Sequence, residues 1–338
     1  MREGIAVAGT IAYDEIKQIE RFPSKSELAL IRNVQQSIGG AVSNCAVTLA
    51  KIDNTFQIEV IALIGDDGRG QFLHENLSRY ENINLNQLKV IGETTFTDVI
   101  HDMTDHSRTF FAYQGNANLF DEHTIDFSKV NAKILHIAYI LLLDGLDQPD
   151  VEYGTKMAKV LKKAQDEGIQ TSIDIVSENS NRYEKLVPPC LKYVNYCVIN
   201  EIEAGKSVGI LLRDENNRLI KQNIKPVLYK LKQLGVKDWV IIHTPEGSFG
   251  YDGNQVYSLP SLVIDHTSIK GTVGAGDAYV SGVLYGAHNG LSIIESMQIG
   301  TASAATSLFE ADSTSGVKSY TELIEVYEKY SKRATIEV

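Results

Sequence analysis

The chain has 338 residues, of which 43% are apolar and 22% are charged, as in an ordinary globular protein. Its formal net charge of −11 argues against nucleic acid or an anionic membrane as a partner, but not against a phosphate held by backbone N–H groups. Three cysteines without a C-x-x-C spacing predict neither a disulfide framework nor a zinc site, and they indicate a cytoplasmic location. The N-terminus has no signal-peptide core, and the longest apolar run, 134–143, is too short to cross a membrane.

The N-terminal part of the chain combines one buried strand with a small sheet. Residues 4–9 are a short apolar run that ends in glycine, which is typical of a central parallel strand. Residues 11–22 and 28–38 mix apolar and polar side chains and predict two strands of a small, partly exposed sheet. A helix is expected within 38–52, and a hairpin over 95–113 has the composition to complete the small sheet.

From residue 57 onward, strands alternate with helices. This alternation predicts β-α-β units and a doubly wound, mostly parallel sheet with helices on both faces, the α/β class. Ligands of such sheets bind beyond the carboxyl ends of the strands. The expected strands lie within 57–71, 133–143, 169–176, 194–200 and 238–243, and the expected helices within 153–168, 224–235, 271–289, 291–307 and 318–332.

The segment GTVGAGDAYVSG, 271–282, is the strongest candidate for chemistry. Gly274, Ala275 and Gly276 precede a helix, whose first N–H groups are unpaired and carry partial positive charge, so small residues there suit an oxyanion or phosphate. Asp277 stands at the rim of this cradle, where a carboxylate can orient a hydroxyl; the alternative is an acid that only caps the helix. A stripe of small residues at Ala278, Gly282 and Gly286 predicts close packing along the same helix.

Polar residues at other strand ends and turns are weaker candidates. Asn200 and Glu203 follow a predicted strand, where carboxylates can hold Mg²⁺ through water or can simply stand at a helix start. Gly-Lys-Ser at 205–207 is not a P-loop, because the glycine required at position 200 is asparagine. No dinucleotide fingerprint follows the first strand, and no hydrolase or zinc-protease motif occurs.

A second group of polar candidates lies near the N-terminus. Asp14 follows the first strand and has the chemistry to bond sugar hydroxyls, although an ordinary exposed acid is the alternative. Gly39, Gly40 and Asn44 mark a turn that runs into a helix, where Asn44 suits polar contact with the same ligand or a plain helix start.

Four motifs, in order, give the chain a resemblance to the ribokinase-like (PfkB-type) carbohydrate kinases over nearly its full length. IGGAVSNCAVTLAKI and GTVGAGDAYVSG resemble the two signatures of that family. VINEIEAG is similar to its Asn-x-x-Glu motif, and IGDDGRG to a strand-exit loop. The resemblance implies a Rossmann-like kinase domain over 1–338, with an inserted β-sheet lid formed by about 11–37 and 95–114.

By position in these motifs, the resemblance also implies roles for the candidate residues. The chain would be an ATP- and Mg²⁺-dependent kinase that phosphorylates a primary hydroxyl of a small sugar. Separately, because a small exposed sheet buries poorly alone, we expect the lid to be able to pair with a second copy. Asp277 would be the base, Gly274, Ala275 and Gly276 the anion hole, Asp14, Gly39, Gly40 and Asn44 the sugar contacts, Asn200, Thr244 and Gly247 the nucleotide contacts, and Glu203 the group serving Mg²⁺.

Three departures from the family pattern bear on cations and ligands. The family usually has Asp-Thr where this chain has Gly271-Thr272, and that acid commonly helps to hold an activating monovalent cation, so activation by potassium is left open. The usual Thr-x-Gly nucleotide loop appears as IHTPEGSFG over 241–249, and SIDIVSENSNRY over 172–183 departs from the commoner Asp-Pro-Asn pattern. A nucleoside kinase and a non-catalytic sensor of the same fold remain alternatives, although a sensor does not need Asp277.

Overall fold

The main sheet contains the buried apolar runs of the sequence. The structure, a computed structural model, describes residues 2–104 and 107–338, so that residues 105 and 106, at the tip of the predicted 95–113 hairpin, lie outside the described residues. The strands are β1 (Ile5–Gly9), β2 (Ala12–Ile19), β3 (Ile31–Gly39), β4 (Ile58–Ile64), β5 (Ile83–Val90), β6 (Phe96–Asp102), β7 (Arg108–Tyr113), β8 (Ile134–Ile140), β9 (Pro149–Asp150), β10 (Gly154–Thr155), β11 (Gln170–Ile175), β12 (Tyr196–Asn200), β13 (Trp239–His243), β14 (Gly247–Tyr251) and β15 (Val256–Pro260).

Nine of these strands form one sheet in the order β15-β14-β13-β12-β11-β8-β1-β4-β5. The pairs from β13 to β5 are parallel, whereas β14 and β15 are added antiparallel at one edge. The predicted α/β class with a mostly parallel sheet is therefore confirmed. The carboxyl ends of β1, β8, β11 and β12 lie side by side, which is where ligands of such sheets bind.

Helices cover both faces of this sheet, as predicted. One hydrophobic cluster packs α4 to α7 against the sheet, and a second cluster packs α1, α2 and α8 to α10 against the other face. The helices are α1 (Gly40–Ile52), α2 (Gly68–Leu77), α3 (Asp144–Asp147), α4 (Lys156–Asp166), α5 (Tyr183–Leu191), α6 (Glu201–Val208), α7 (Ile224–Gln233), α8 (Ala275–His288), α9 (Ile293–Ser307) and α10 (Tyr320–Lys329).

Four strands form a separate sheet in the order β3-β2-β6-β7, called the small sheet below. Strands β2 and β3 and strands β6 and β7 pair antiparallel, and β2 and β6 pair parallel. Strands β2, β6 and β7 lie within the segments predicted for the small sheet, and β3 extends one residue beyond its segment, to Gly39. Strand β3 is exposed along most of its length, whereas its last residue, Gly39, is buried where the chain enters α1.

The predicted stripe of small residues on α8 is the surface on which α9 packs. A Cβ atom on Gly282 would lie 2.8 Å from the Cα atom of Gly300, and one on Gly286 would lie 2.8 Å from the Cβ atom of Ser296. Because real Cβ atoms do not approach so closely, the two helices pack at a distance that only glycine permits here. This packing fixes α8 in the molecule along its length.

Three strands of the main sheet were not predicted. Strand β5 reads INLNQLKV, in which polar residues are frequent, and β14 and β15 form a glycine-containing hairpin at the edge of the sheet. Strands β5 and β15 are the two edges of the sheet and bury fewer side chains than central strands do, whereas β14 is buried but has two glycines in five residues, so none of the three has a continuous apolar run. In the described part of the chain, no helix is both long and apolar enough to cross a bilayer.

Candidate functional site

The start of α8 faces the carboxyl ends of the central strands. Gly274 precedes the helix with φ of +77°, and a Cβ atom there would run into the side chain of Ser313, so both conformation and space require glycine. In the described residues, the amide of Ala275 donates weakly to the carbonyl of Thr272 at 3.4 Å, whereas the amide of Gly276 has no acceptor. The helix start therefore offers an unpaired N–H group beside the partial positive charge of the helix.

Asp277, in the first turn of α8, is buried and held by two donors. The Asn44 side-chain amide donates to Oδ2 of Asp277, and the Tyr139 hydroxyl donates to Oδ1, both at 2.8 Å. Burial raises the pKa of Asp277, and the two hydrogen bonds act in the opposite direction. The Ser313 hydroxyl donates to Oδ1 of Asn44 at 2.6 Å, which fixes the orientation of that amide. Asp277 is thus an oriented carboxylate rather than a helix cap.

Asp14, on β2, lies where the small sheet meets the start of α1. Its carboxylate sits directly against Gly39, where any Cβ atom would run into it. Burial raises the pKa of Asp14 to about 7, although a hydrogen bond from Thr97 lowers it. Asp14 and Ser313 line one small cavity, so the predicted sugar residues Asp14, Gly39, Gly40 and Asn44 and the carboxylate of Asp277 are grouped on one side of the α8 start.

A cavity of about 550 Å³ lies on the other side of the α8 start. It is lined by the predicted nucleotide residues Asn200, Thr244 and Gly247 and by Ala275 and Gly276 of the predicted anion hole. The lining is largely apolar and includes Leu262, Ile264 and Leu308, as is typical of a small-molecule pocket. The structure therefore brings together the two separately predicted groups of residues around one helix start.

His243 forms part of the wall between this cavity and α8. Its ring packs against that of Tyr279 with centroids 4.9 Å apart, and its Cε1 atom would lie 3.7 Å from a Cβ atom on Gly276. Burial lowers the pKa of His243 to about 4, so its ring is neutral at neutral pH. Its contribution to the site is shape rather than charge.

Thr244 closes its own turn. Its hydroxyl donates to the Gly247 carbonyl at 2.9 Å and accepts from the amides of Glu246 and Gly247, each at 3.1 Å. This bonding occupies the hydroxyl, so the turn offers a ligand its backbone and its shape. The predicted contact from Thr244 therefore stays a prediction.

Arg213 holds the Thr244 turn to the start of α6. Its guanidinium donates to both carboxylate oxygens of Glu246, at 2.6 and 2.8 Å, and through Nε to Oε1 of Glu201 at 2.8 Å. Glu201 lines the cavity and Glu246 stands in the Thr244 turn, so the one positive charge of Arg213 is shared by two acids and weakens their repulsion of a polyphosphate.

Asn200 and Glu203 form the reciprocal hydrogen bonds of a capping box at the start of α6. The Glu203 carboxylate accepts hydrogen bonds from the Asn200 side-chain amide at 2.6 Å, from the Asn200 backbone N–H at 3.0 Å and from the Ser177 hydroxyl at 2.7 Å. Burial raises the pKa of Glu203 to about 7, with these bonds lowering it. The capping alternative thus describes the geometry, and three donors leave about one acceptor site of this carboxylate open to water.

The fit of Mg²⁺ rests on a group of buried acids. Asp174, at the end of β11, is buried, and its pKa is raised by burial and by the charges of Glu203 and Asp277. Among the described residues, no group of three or more His, Cys, Asp or Glu side chains has the geometry to bind a metal ion directly. These acids therefore fit a magnesium ion that is held mainly by phosphate oxygens and water, which is how Mg²⁺ is usually bound.

Sequence reasoning missed Tyr139, Ser313 and Asp174. Tyr139 and Asp174 stand near the carboxyl ends of the buried strands β8 and β11, a position that marks candidates in a parallel sheet. Ser313 lies in a loop between α9 and α10, and no local pattern distinguishes it. Its role depends on a contact between residues 44 and 313, which only the fold brings together.

Comparisons with known proteins concern the family and the fold of the whole chain. Residues 2–319 match the description pfkB family carbohydrate kinase. The chain is 23% identical over 337 residues to a nucleoside kinase of Methanocaldococcus jannaschii, covering 97% of this chain and 98% of the relative. It is 30% identical over 286 residues to a 5-dehydro-2-deoxygluconokinase of Clostridium beijerinckii, covering 79% and 77%. The fold resembles that of an Arabidopsis thaliana ribokinase complexed with ribose and ATP, with a TM-score of 0.79, 19% identity, and coverage of 98% and 100%.

Proposed function

The chain belongs to the pfkB family of carbohydrate kinases, and on that premise we propose that it transfers the γ-phosphoryl group of ATP to a primary hydroxyl of a small sugar. One observation carries the proposal. Asp277 is an oriented carboxylate one residue beyond Gly276, whose unpaired amide borders a cavity large enough for a nucleotide. Acceptor activation and phosphate binding would thus be adjacent on one helix start.

The acceptor would bind between the small sheet and Asp277. Asp14 and Asn44 would contact sugar hydroxyls, with Gly39 and Gly40 leaving room for the ring. Asp277 would orient the attacking hydroxyl in the ground state, because a carboxylate is too weak a base to ionise an alcohol outright. Proton transfer to Asp277 would come late, once bonding to phosphorus has made the hydroxyl acidic. The raised pKa of Asp277 favours that transfer.

The nucleotide would occupy the 550 Å³ cavity, with its phosphates at the start of α8. The amides of Gly274, Ala275 and Gly276 would stabilise charge on the transferring group, and one such donor is worth roughly 3 kcal/mol. Glu203, with Asp174 near it, would hold a magnesium ion through water. When bound, that ion neutralises charge on the phosphate oxygens. Closure of the small sheet over the acceptor would exclude water and limit hydrolysis of ATP.

The experiment is a coupled ADP-release screen over pentoses, hexoses, ketoses, sugar acids and nucleosides. The named relatives add 5-dehydro-2-deoxygluconate and ribose to the panel. Asp277→Ala should reduce turnover by roughly 100- to 10,000-fold while nucleotide binding is retained. Asp166→Ala, which removes an exposed acid at the end of α4, is the matched control. Near-normal turnover of Asp277→Ala would refute the role of this residue.

A nucleoside kinase is the second candidate. It is favoured by the relative of that name, which the chain matches over 97% of its length. The same helix start and nucleotide cavity would serve, and only the acceptor side between Asp14 and Asp277 would differ. ADP release with nucleosides but not with free sugars would decide for this candidate.

We also propose that the small sheet is a lid that pairs with the small sheet of a second copy. Apolar side chains on its two edge strands are exposed, including Val34 at 50%, Phe110 at 52% and Phe111 at 56%. Exposed edge strands with such side chains usually need a cover. Light scattering should give twice the monomer mass for the wild type and the monomer mass for Phe111→Asp. A monomeric wild type would refute the pairing.

The proposed location is cytoplasmic. It is supported by the state of the three cysteines, Cys45, Cys190 and Cys197, which are free and buried. Mass spectrometry after alkylation of the unfolded protein purified from cells should find all three as thiols.

A further inference from the structure

Arg108 connects the small sheet to the loops beside the α8 start. It is the first residue of β7, and its Nη2 atom donates to the carbonyl of Ala311 at 3.2 Å and to that of Lys270 at 3.4 Å. Within residues 2–104 and 107–338, its guanidinium forms no ion pair with a carboxylate. Two acids flank its acceptor Ala311: Glu310 pairs instead with Lys270 at 3.1 Å, and Asp312 accepts from the backbone amides of Thr314 and Ser315. Arg108 therefore places a positive charge on backbone carbonyls.

The carbonyls around Arg108 converge on Gly271. A Cβ atom on Gly271 would lie 2.9 Å from the Ala311 carbonyl oxygen, 3.0 Å from that of Glu310 and 3.1 Å from Nη2 of Arg108. The space in which a side chain of residue 271 would begin is thus bounded by two carbonyl oxygens and one guanidinium. Converging carbonyl oxygens attract a cation, and here the cation is a side chain.

A monovalent cation does not fit this arrangement. The acid that commonly helps to hold such an ion is replaced by Gly271, and the carbonyls of Lys270 and Ala311 already accept hydrogen bonds from Arg108. A guanidinium stays charged at neutral pH even when partly buried, so a second cation at the same carbonyls would be repelled.

We propose that Arg108 supplies the positive charge beside the α8 start that a bound potassium ion would otherwise supply, so that the chain works without monovalent cations. This inference rests on the kinase function proposed above. The Lys270 carbonyl belongs to the segment that leads to Gly274, and the Ala311 carbonyl belongs to the loop between α9 and α10, so Arg108 joins the two loops that meet beside the α8 start. Because Arg108 belongs to β7 of the small sheet, the positive charge is part of the lid and is not an ion taken up from the solvent. We class Arg108 as a positioning residue, since its hydrogen bonds go to loop carbonyls, although its side chain also lines the small cavity beside Asp14.

The test compares ADP release in potassium, sodium and tetramethylammonium chloride at constant ionic strength. Wild-type turnover should differ by less than about two-fold among the salts, because no site requires potassium. Arg108→Ala should lose about ten-fold or more in kcat, the effect of one hydrogen-bonded charge, with a smaller change in the KM for ATP. Arg108→Lys should recover part of the loss, and Arg79→Ala, at an exposed position, is the matched control.

The double variant Gly271→Asp with Arg108→Ala restores the acid and removes the guanidinium, and it should become activated by potassium. Its new Cβ atom would lie 2.9 Å from the Ala311 carbonyl oxygen, so the loop between α9 and α10 must shift slightly to admit it. The thermal midpoint is measured in the same salts, because it reports potassium binding without turnover. Potassium should raise the midpoint of the double variant over that in sodium, and it should leave the wild-type midpoint unchanged.

A wild-type midpoint or kcat that depends on potassium would overturn the inference, as would an Arg108→Ala variant with full kcat in tetramethylammonium. If no acceptor in the panel is phosphorylated in any salt, the kinase proposal fails, and the midpoints still test the cation site by themselves.

Discussion

Replacing Tyr139 by phenylalanine removes only the hydroxyl group that donates a hydrogen bond to Asp277, the proposed base. The Tyr139 hydroxyl donates to Oδ1 of Asp277 at 2.8 Å, and Tyr139 does not line the nucleotide cavity. The ring is kept, so packing around β8 should change little. The variant therefore isolates one hydrogen bond to a buried carboxylate.

The size of the effect follows from the charge of the acceptor. A hydrogen bond to a charged group contributes about 1.5–3 kcal/mol, which corresponds to roughly a 10- to 150-fold change in rate if the bond is kept in the transition state. The bond to Tyr139 also lowers the pKa of Asp277, because it favours the ionised form. Its loss should raise that pKa and move the acid limb of the pH–kcat/KM profile to higher pH.

The assay measures kcat/KM for the best acceptor across the acid range, together with ADP binding by calorimetry. Tyr139→Phe should show the reduced rate and the displaced acid limb with unchanged ADP affinity. Tyr229→Phe, at an exposed position on α7, should match the wild type. A merely structural role would lower the amount of folded enzyme but would leave the profile in place. An unmoved acid limb with a normal rate would refute the assignment of Asp277 and Tyr139 as a working pair.

Three further predictions address the phosphate cradle, the sugar side and the nucleotide loops. Gly276→Ala should keep the wild-type thermal midpoint, because its Cβ atom meets only His243 at 3.7 Å, and it should lower kcat by roughly 100-fold by filling the cradle. The control is Gly68→Ala, whose Cβ atom meets nothing within 4 Å, and normal turnover of Gly276→Ala would contradict the cradle. Burial raises the pKa of Asp14 from 3.8 to about 7, so the neutral carboxyl is favoured in the folded protein and stability is lost as the pH rises through this window. In urea titrations between pH 4 and 7, the free energy of unfolding of Asp14→Asn should decline less than that of the wild type, and an equal decline would contradict the burial of this carboxyl. Arg213→Met should raise the KM for ATP about ten-fold with little change in the KM for the acceptor, because Glu201 and Glu246 lose their ion-pair partner and repel the phosphates. An equal rise in both KM values would indicate a general loss of structure instead.

The sequence predicts the parts of the fold that are locally periodic or fully buried. Strands β1, β8 and β12 read as apolar runs because they are buried on both faces, and α8 reads as a helix with a stripe of small residues. Strand β5 escapes detection because its polar side chains reflect a place at the sheet edge. The strands at the edges of the main sheet are thus the ones that the sequence predicts poorly.

In the candidate site, too, residues that form a local motif are predicted and residues that act through long-range contacts are not. Glycines 274 and 276 and Asp277 form one contiguous motif, and their grouping needs no tertiary information. Tyr139 and Ser313 act only through contacts with residues more than a hundred positions away, so no spacing reveals them. Arg108 is similar, since its acceptors belong to loops far along the chain. Contacts of this kind require the topology before they can be recognised.

The tight packing of α8 on α9 decides which part of the molecule is able to move during turnover. Gly282 and Gly286 leave no gap along that contact, so a sliding of α8 toward an incoming ligand would force backbone atoms together. On the proposed function, closure over the acceptor would then come from the small sheet, while the cradle stays in place against α9. States captured with different ligands should therefore be superposed on α8 and α9, and in that frame the displacement of β2, β3, β6 and β7 would measure closure directly.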